Sequence, residues 1–170
     1  MKNLKLPLTI DPRRSAQRRL VCNGYFELIG LDRLLAVSEK ASEQVNVKMN
    51  FEVDEQGLIV ISGNASTQVS LTCQRCNESY VQELNVTFCF SPVKDEEGAA
   101  LLPSEYDAVE LDENGEVKLR ELVESELMLE IPLIPKHILK DCSASADSTW
   151  GTLPETLDKP NPFDLLKQLK

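Results

Sequence analysis

A two-residue alternation of apolar and polar side chains in the middle of the chain constrains the fold more than any other feature. From Val45 to Val53 every second residue is apolar, and the alternation resumes through residues 65–71 and 86–90. Successive side chains of a β-strand point to opposite faces, so this pattern predicts strands with one buried and one polar face. The turn sequence DEQG between the first two strands predicts a hairpin and, with the later strands, an antiparallel meander.

Helical signals lie on both sides of this region. Asp11 can cap a helix that opens at Pro12 and continues through RRSAQRRL, and apolar residues at helical spacing predict further helices within residues 31–40 and 117–131. We therefore expect an α+β protein with a mainly antiparallel β meander or partly closed barrel and a few packing helices. It would end in a loose C-terminal tail with a short helix.

The domain organisation follows from length and from the composition of the C-terminal part. A chain of 170 residues has room for one well-cored domain. Residues 1–140 are predicted to form a single α+β domain with a basic N-terminal strand and helix. Residues 141–170 are predicted to form an extended tail, because they are rich in Ser, Asp, Thr and Pro, and to end in a short amphipathic helix at NPFDLLKQLK.

Charge is unevenly distributed along the chain. Residues 1–20 contain six basic residues and one acid, whereas the remaining 150 residues contain 27 acids and 12 basic residues. This acidic balance argues against a protein that coats nucleic acid nonspecifically. The basic candidates for contact with RNA or a partner are Lys2, Lys5, Arg13, Arg14, Arg18 and Arg19. The alternative is that this basic helix pairs with the protein's own acidic surface.

Several function classes lack the residues that they need. A single histidine excludes a credible Ser/His/Asp arrangement, and none of the seven glycines forms a phosphate-binding loop. We therefore predict that the chain is not an enzyme and has no small-molecule substrate. No apolar stretch suits a signal peptide or a membrane span, so we expect a cytoplasmic protein without membrane contact.

The motif CQRC, residues 73–76, raises the question of a metal site. A C-x-x-C at the tip of two strands is a common zinc-ligand turn, and Asn77 tolerates the positive φ that such a turn requires. Structural zinc needs four ligands, and the remaining candidates are His137 and Cys142. Cys22 is a weaker candidate ligand. Their separation of roughly 60 residues from the pair matches no compact zinc finger.

Two other interpretations of the cysteines stay open. A catalytic redox pair normally begins a helix after a strand, whereas this pair has a strand on each side. Alternatively, Cys73 and Cys76 are free thiols, His137 is a surface residue and Cys142 is an unpaired thiol.

Four segments together carry a resemblance to a known family: LKLPLTIDPRRSAQRRL, LTCQRCNESYVQELNVTFCFSPV, LVESELMLEIPLIP and KPNPFDLLKQLK. Over nearly its whole length the chain resembles the YceD family of large ribosomal RNA subunit accumulation proteins. Many relatives place a second cysteine pair after the IPL segment, where this chain has His137 and Cys142. The resemblance therefore supports a possible structural zinc ion held by Cys73, Cys76, His137 and Cys142, although further downstream cysteines of such relatives are missing here.

The resemblance implies a ribosome-biogenesis factor that supports accumulation or processing of the large-subunit (23S) ribosomal RNA precursor. The expected partners are this RNA or a protein of rRNA processing or of the ribosome, with the acidic residues 94–130 suited to a basic protein. The alternative is a protein-binding adaptor with a structural zinc knuckle and no RNA contact. A C-x-x-C thiol redox protein is the third interpretation.

Overall fold

A computed structural model describes residues 4–144 of the chain, apart from the side chain of Ala41. The strands are β1 (Leu4–Lys5), β2 (Val21–Glu27), β3 (Lys40–Ala41), β4 (Gln44–Val53), β5 (Ile59–Thr72), β6 (Ser79–Val93) and β7 (Asp107–Glu110). The helices are α1 (Pro12–Gln17), α2 (Asp32–Val37), α3 (Glu96–Ala100) and α4 (Leu119–Glu130), and a 3-10 turn follows at Leu139–Asp141. No helix among these residues is long and apolar enough to cross a membrane.

All the strands belong to one mixed sheet, in the order β1-β2-β4-β5-β6-β7, with β3 paired to β5 beyond the end of β4. The central pairs β2-β4, β4-β5 and β5-β6 are antiparallel, and the outer pairs β1-β2 and β6-β7 are parallel. The sheet is not closed into a barrel within residues 4–144. The predicted α+β class is confirmed, and the sheet takes the form of an open meander extended by a parallel strand on each side.

The hydrophobic core lies between one face of the sheet and helices α1, α2 and α4. Alternate residues of β4 from Val45 to Phe51 are buried, as the alternation predicts, whereas Val53 is exposed. Most of the partners that the buried residues meet on β5 and β6 are buried as well. Leu119, Val123 and Leu127, all fully buried, bring one face of α4 into this core. On α1 the small residues Ser15 and Ala16 are buried, and they allow the short helix to lie close to β4 and β5.

The opposite face of the sheet is covered only at one end. There Val60, Ser91 and Val93 are buried, and Gly98 of α3 lies against Val93. Tyr106, which follows α3, donates a hydrogen bond to the Asp54 carboxylate over 3.2 Å. Along the rest of this face the side chains of β2, β4, β5 and β6 are exposed or half-buried. The helices therefore leave a wide part of the sheet open.

Several local predictions agree with the structure, and others need correction. Asp11 caps α1 by accepting the Arg14 N–H over 3.0 Å, and Pro12 opens that helix. The predicted N-terminal strand is only two residues long, because Ile10 instead forms a bridge with Val117. The tail predicted for 141–170, with its terminal helix, lies outside the described residues except for 141–144.

Candidate metal centre

The two cysteines of the C-x-x-C motif lie on the tight turn that joins the long strands β5 and β6. The Cys73 N–H donates to the Glu78 carbonyl over 2.9 Å, and the Asn77 N–H donates to the Cys73 carbonyl over 2.8 Å. These bonds close the turn, and they require Asn77 to adopt a φ of 59°. Asparagine tolerates this left-handed conformation better than most residues. The knuckle predicted from the sequence is therefore formed.

The segment after α4 brings His137 to this turn. Pro132 and Pro135 keep the chain extended beyond the helix, and the Pro135 carbonyl accepts the Gln74 N–H over 2.8 Å. Two residues later, the His137 N–H points at the Cys73 sulfur over 3.4 Å. The 3-10 turn at 139–141 then places Cys142 beside the same group. Backbone hydrogen bonding thus joins two segments that are far apart in sequence.

The four predicted ligands form one cluster. The donor atoms of Cys73, Cys76, His137 and Cys142 all lie within 4.8 Å of one another. His137 turns Nδ1 toward the Cys76 sulfur, 3.3 Å away. Tetrahedral zinc, with Zn–S of about 2.3 Å and Zn–N of about 2.0 Å, needs ligand atoms roughly 3.5–3.8 Å apart. The donor set fits a structural zinc site in composition and spacing, and it could hold a metal ion.

The electrostatics of the cluster favour a bound cation. Burial raises the pKa of the Cys73 thiol, but the N–H groups of Cys76, His137 and Arg75 point at its sulfur and lower the pKa to about 5. Burial also raises the pKa of Cys142, and so do the sulfurs of Cys76 and Cys73. Negative charge on one sulfur therefore opposes ionisation of its neighbour. A divalent cation removes this conflict by binding the deprotonated ligands together.

Two residues that the sequence did not identify support the cluster. The Tyr80 ring packs on the His137 imidazole with centroids 4.9 Å apart. Glu39 accepts hydrogen bonds from Thr72, over 2.6 Å, and from Ser79, the residues at the two ends of the knuckle turn. No spacing rule links Glu39 to the C-x-x-C motif, so only the fold reveals this contact.

The structure divides the basic candidates into paired and unpaired groups. Lys5 pairs with Glu27 at 2.7 Å, and Arg14 pairs with Asp11 at 3.2 Å. Arg13, Arg18 and Arg19 are exposed and form no ion pair with any residue in the 4–144 range. Lys2 lies outside the described residues.

The unpaired arginines lie far from the metal cluster. The carbonyl of Leu20, next to Arg19, accepts the Phe51 N–H over 2.9 Å, and Phe51 pairs with Ile61 on β5. The knuckle follows Thr72 at the other end of β5. At about 3.3 Å per residue, the arginines and the cluster are roughly 35–40 Å apart along the strand. The two features therefore lie at opposite ends of β5.

Comparisons with known proteins agree with the family resemblance seen in the sequence. The family model described as "Large ribosomal RNA subunit accumulation protein YceD" matches residues 61–170. A relative of that name from Haemophilus influenzae is 44% identical over 172 residues, which cover 100% of this chain and 99% of the relative. The comparison with solved structures gave no match. The chain belongs to the YceD family of large ribosomal RNA subunit accumulation proteins.

Proposed function

We propose that this protein is a non-catalytic ribosome-biogenesis factor of the cytoplasm. In this proposal it supports accumulation of the large-subunit ribosomal RNA precursor by binding that RNA through α1 and the residues after it. The proposal is supported by the name of the Haemophilus influenzae relative that covers the whole chain, which refers to large ribosomal RNA subunit accumulation.

The observation that carries the RNA contact is the unpaired state of Arg13, Arg18 and Arg19 in an acidic protein. The chain contains 28 acids and 18 basic residues. Even so, the three arginines have no carboxylate within ion-pair distance among residues 4–144, whereas Arg14 of the same helix pairs with Asp11. These unpaired arginines count against the alternative that the whole basic helix pairs with the protein's own acidic surface. Unpaired arginines near one another suit the phosphates of an RNA backbone.

We further infer that Cys73, Cys76, His137 and Cys142 hold a structural zinc ion. Three thiolates and one imidazole are a closed ligand set of the kind found in structural sites, with no ligand position left for a substrate. The ion would join the β5–β6 turn to the segment after α4. It would stabilise the fold at a distance from the arginines, so it would not itself contact the RNA.

A salt titration tests the RNA contact. Affinity for a fragment of the large-subunit precursor is measured against salt for the wild type and for Arg13→Ala/Arg18→Ala/Arg19→Ala. If each arginine meets one phosphate, the triple variant should flatten the log-log slope by about 2, at roughly 0.7 per contact with single-stranded RNA. The matched control Lys40→Ala/Lys118→Ala/Lys140→Ala makes the same charge change elsewhere and should preserve the slope. A wild type without measurable affinity at low salt would contradict the proposal.

A specific observation favours the adaptor as the second candidate. Leu133, Ile134, Ile138 and Leu139 are exposed beside the metal cluster, with Leu133 98% exposed. Such residues suit contact with another protein, and the acidic residues 94–130 suit a basic one. The thiol redox alternative is less well supported, because the C-x-x-C joins two strands instead of opening a helix and shares its sulfurs with two further ligands.

A further inference from the structure

The open face of the sheet carries an unusual set of side chains. In the strand register, Asn50 lies beside Val21 and Ser62, Lys48 lies between two asparagines, and Asn46 lies beside Tyr25 and Ser66. The rows continue onto β6, so that each crosses four strands. The five asparagines of these three rows are Asn23, Asn46, Asn50, Asn64 and Asn85. We call the three rows the asparagine face.

The stability of the sheet does not explain these asparagines. Asparagine is disfavoured in strands, where β-branched and aromatic residues pack better. None of the five side-chain amides has a hydrogen-bond partner among residues 4–144. Four of them are exposed, and Asn50 is half-buried. Residues that break a local preference without a compensating contact are expected at functional sites.

Charge separates the asparagine face from the rest of the surface. The three rows contain no Asp or Glu, and their one charged residue is Lys48, near the middle. Acids surround the rows: Glu52, Glu105 and Asp107 lie near Cys89 at one end, and Glu27 and Glu83 lie beyond the row of Asn46 at the other. In a protein with a net charge of -10, the three rows themselves carry one positive charge and no negative charge.

Of the unpaired arginines, Arg19 lies next to one end of this face. Arg19 comes two residues before Val21, which starts the row that contains Asn50. The bond from the Phe51 N–H to the Leu20 carbonyl holds this segment against β4. Arg19 therefore lies at the edge of this face, whereas α1 with Arg13 packs against the opposite face of the sheet.

We propose that the asparagine face binds single-stranded RNA by reading its unpaired bases, a proposal that rests on the RNA-binding function above. An amide has both a donor and an acceptor, so it can pair with a base edge, and asparagine is well matched to adenine. Protein recognition of RNA sequence relies on such unpaired bases, because an A-form duplex hides its base edges in a deep major groove.

Two features next to the asparagines also suit the binding of nucleobases. Tyr25 is half-buried on this face and offers a ring on which a base can stack. Beyond Asn46 and Ser66 the face opens into a polar depression of about 480 Å³, lined also by the acids Glu43 and Glu83 and by Ser42, Gln44, Thr67 and Gln68. Both features suit planar, polar ligands such as nucleobases.

The test is binding of a single-stranded RNA of alternating C and A, about 12 nucleotides long, to the full-length protein. The variant Asn46→Thr/Asn64→Thr/Asn85→Thr removes three amides, and threonine favours strands, so the fold should persist. We expect at least about a tenfold loss of affinity with an unchanged salt slope, because base contacts release no counterions. The control Gln56→Ala/Asn114→Ala removes two exposed amides outside the face and should bind like the wild type.

Tyr25 provides a second readout. Tyr25→Ala should weaken binding by about fivefold or more, whereas Tyr25→Phe keeps the ring and should retain affinity. An RNA duplex of related sequence should bind much more weakly than the single strand. Circular dichroism and thermal melting check that each variant is folded.

The outcomes separate this inference from the proposed function. Equal RNA affinity of the wild type and the asparagine variant, with weaker binding by the arginine variant, would overturn the inference and leave the proposed function standing. If the asparagine variant keeps its RNA affinity but no longer binds a ribosomal protein that the wild type binds, the face contacts protein instead of RNA. This outcome also overturns the inference. No RNA binding by the wild type would overturn both.

Discussion

The Glu124 carboxylate accepts the backbone N–H of Leu34, 90 residues earlier in the chain, over 3.1 Å. The same oxygen accepts the Arg33 N–H over 2.8 Å, so this buried acid caps the first turn of α2 and fixes it to α4. Glu124 lies within the acidic residues 94–130, yet its side chain is buried between the two helices. The helix has no side-chain cap of its own, and Glu124 supplies the acceptor.

Glu124→Ala should therefore destabilise the protein. The change leaves two backbone N–H groups without their acceptor, which costs about 1–3 kcal/mol when such groups are buried. Urea unfolding measures the loss. Glu130→Ala, an exposed acid of the last turn of the same helix, should change the free energy of unfolding by less than about 0.5 kcal/mol. Equal effects of the two substitutions would show that the cap contributes nothing.

Metal content should follow the four clustered ligands. Purified wild type should contain one zinc per chain by mass spectrometry, and Cys73→Ser, Cys76→Ser, His137→Ala and Cys142→Ser should each lose most of it. Cys89→Ser alters a cysteine outside the cluster and should retain the metal. A wild type purified without chelator and free of metal would leave the C-x-x-C as a turn with two thiols.

Removal of the metal should lower the thermal midpoint. A ligand present at about 1,000 times its Kd stabilises the folded state by about 4 kcal/mol, which corresponds to roughly 10 °C for a domain of this size. A strong chelator should produce this shift in the wild type, measured by circular dichroism. It should have almost no effect on Cys76→Ser, which has no complete site to lose. A similar chelator effect on both proteins would point to a cause other than this cluster.

The Glu39 contact predicts a pH dependence with a defined sign. Hydrogen bonds from Ser79 and then Thr72 lower the pKa of the Glu39 carboxyl. A carboxyl with a lowered folded-state pKa stabilises the fold above its unfolded pKa of about 4.3, and the contribution disappears as the pH falls through the folded value. Glu39→Gln should be less stable than the wild type at pH 7, and the difference should vanish in acid. Glu43→Gln, an exposed neighbour, should show no such trend.

Gly63 should tolerate no side chain. It faces the core between Met49 and Phe88, and an added Cβ would overlap the Lys48 carbonyl oxygen and lie 2.9 Å from Phe88 Cε2. Gly63→Ala should cost about 1–3 kcal/mol in denaturant unfolding, as for other overpacked cores. In α3, a Cβ added at Gly98 would lie no closer than 3.3 Å to any other atom. Gly98→Ala should therefore be neutral or slightly stabilising, because alanine favours helices. A neutral Gly63→Ala would mean that these strands can move apart.

The sequence predicted those parts of the fold that have a repeating pattern or a local signal. The alternation at Val45, Val47, Met49 and Phe51 identified β4 and its buried face, and Asp11 with Pro12 identified the start of α1. The parallel edge strands β1 and β7 have two and four residues, too few for a period to reveal their partners. Their positions depend on tertiary contacts such as the bridge between Ile10 and Val117.

For the candidate metal centre, residue chemistry and the family resemblance predicted the four residues as one ligand set, but their spacing in the sequence gave no support for their contact. Cys76 and His137 are 61 residues apart, and no spacing rule for compact zinc sites covers that distance. The proximity arises because α4 packs along the sheet and the prolines after it lead the chain back to the knuckle. The asparagine face was visible only once the strand register placed its residues side by side.

The long separation between the halves of the ligand cluster also sets an order of events during synthesis. Cys73 and Cys76 leave the ribosome well before His137 and Cys142, and the complete set of donors exists only after β6 and α4 have packed. A chain that stops short or misplaces α4 offers two thiols to a metal and no more. Metal binding by all four donors would then mark a chain that has been synthesised and folded through residue 142, and such a chain should resist proteolysis better than one that stops earlier.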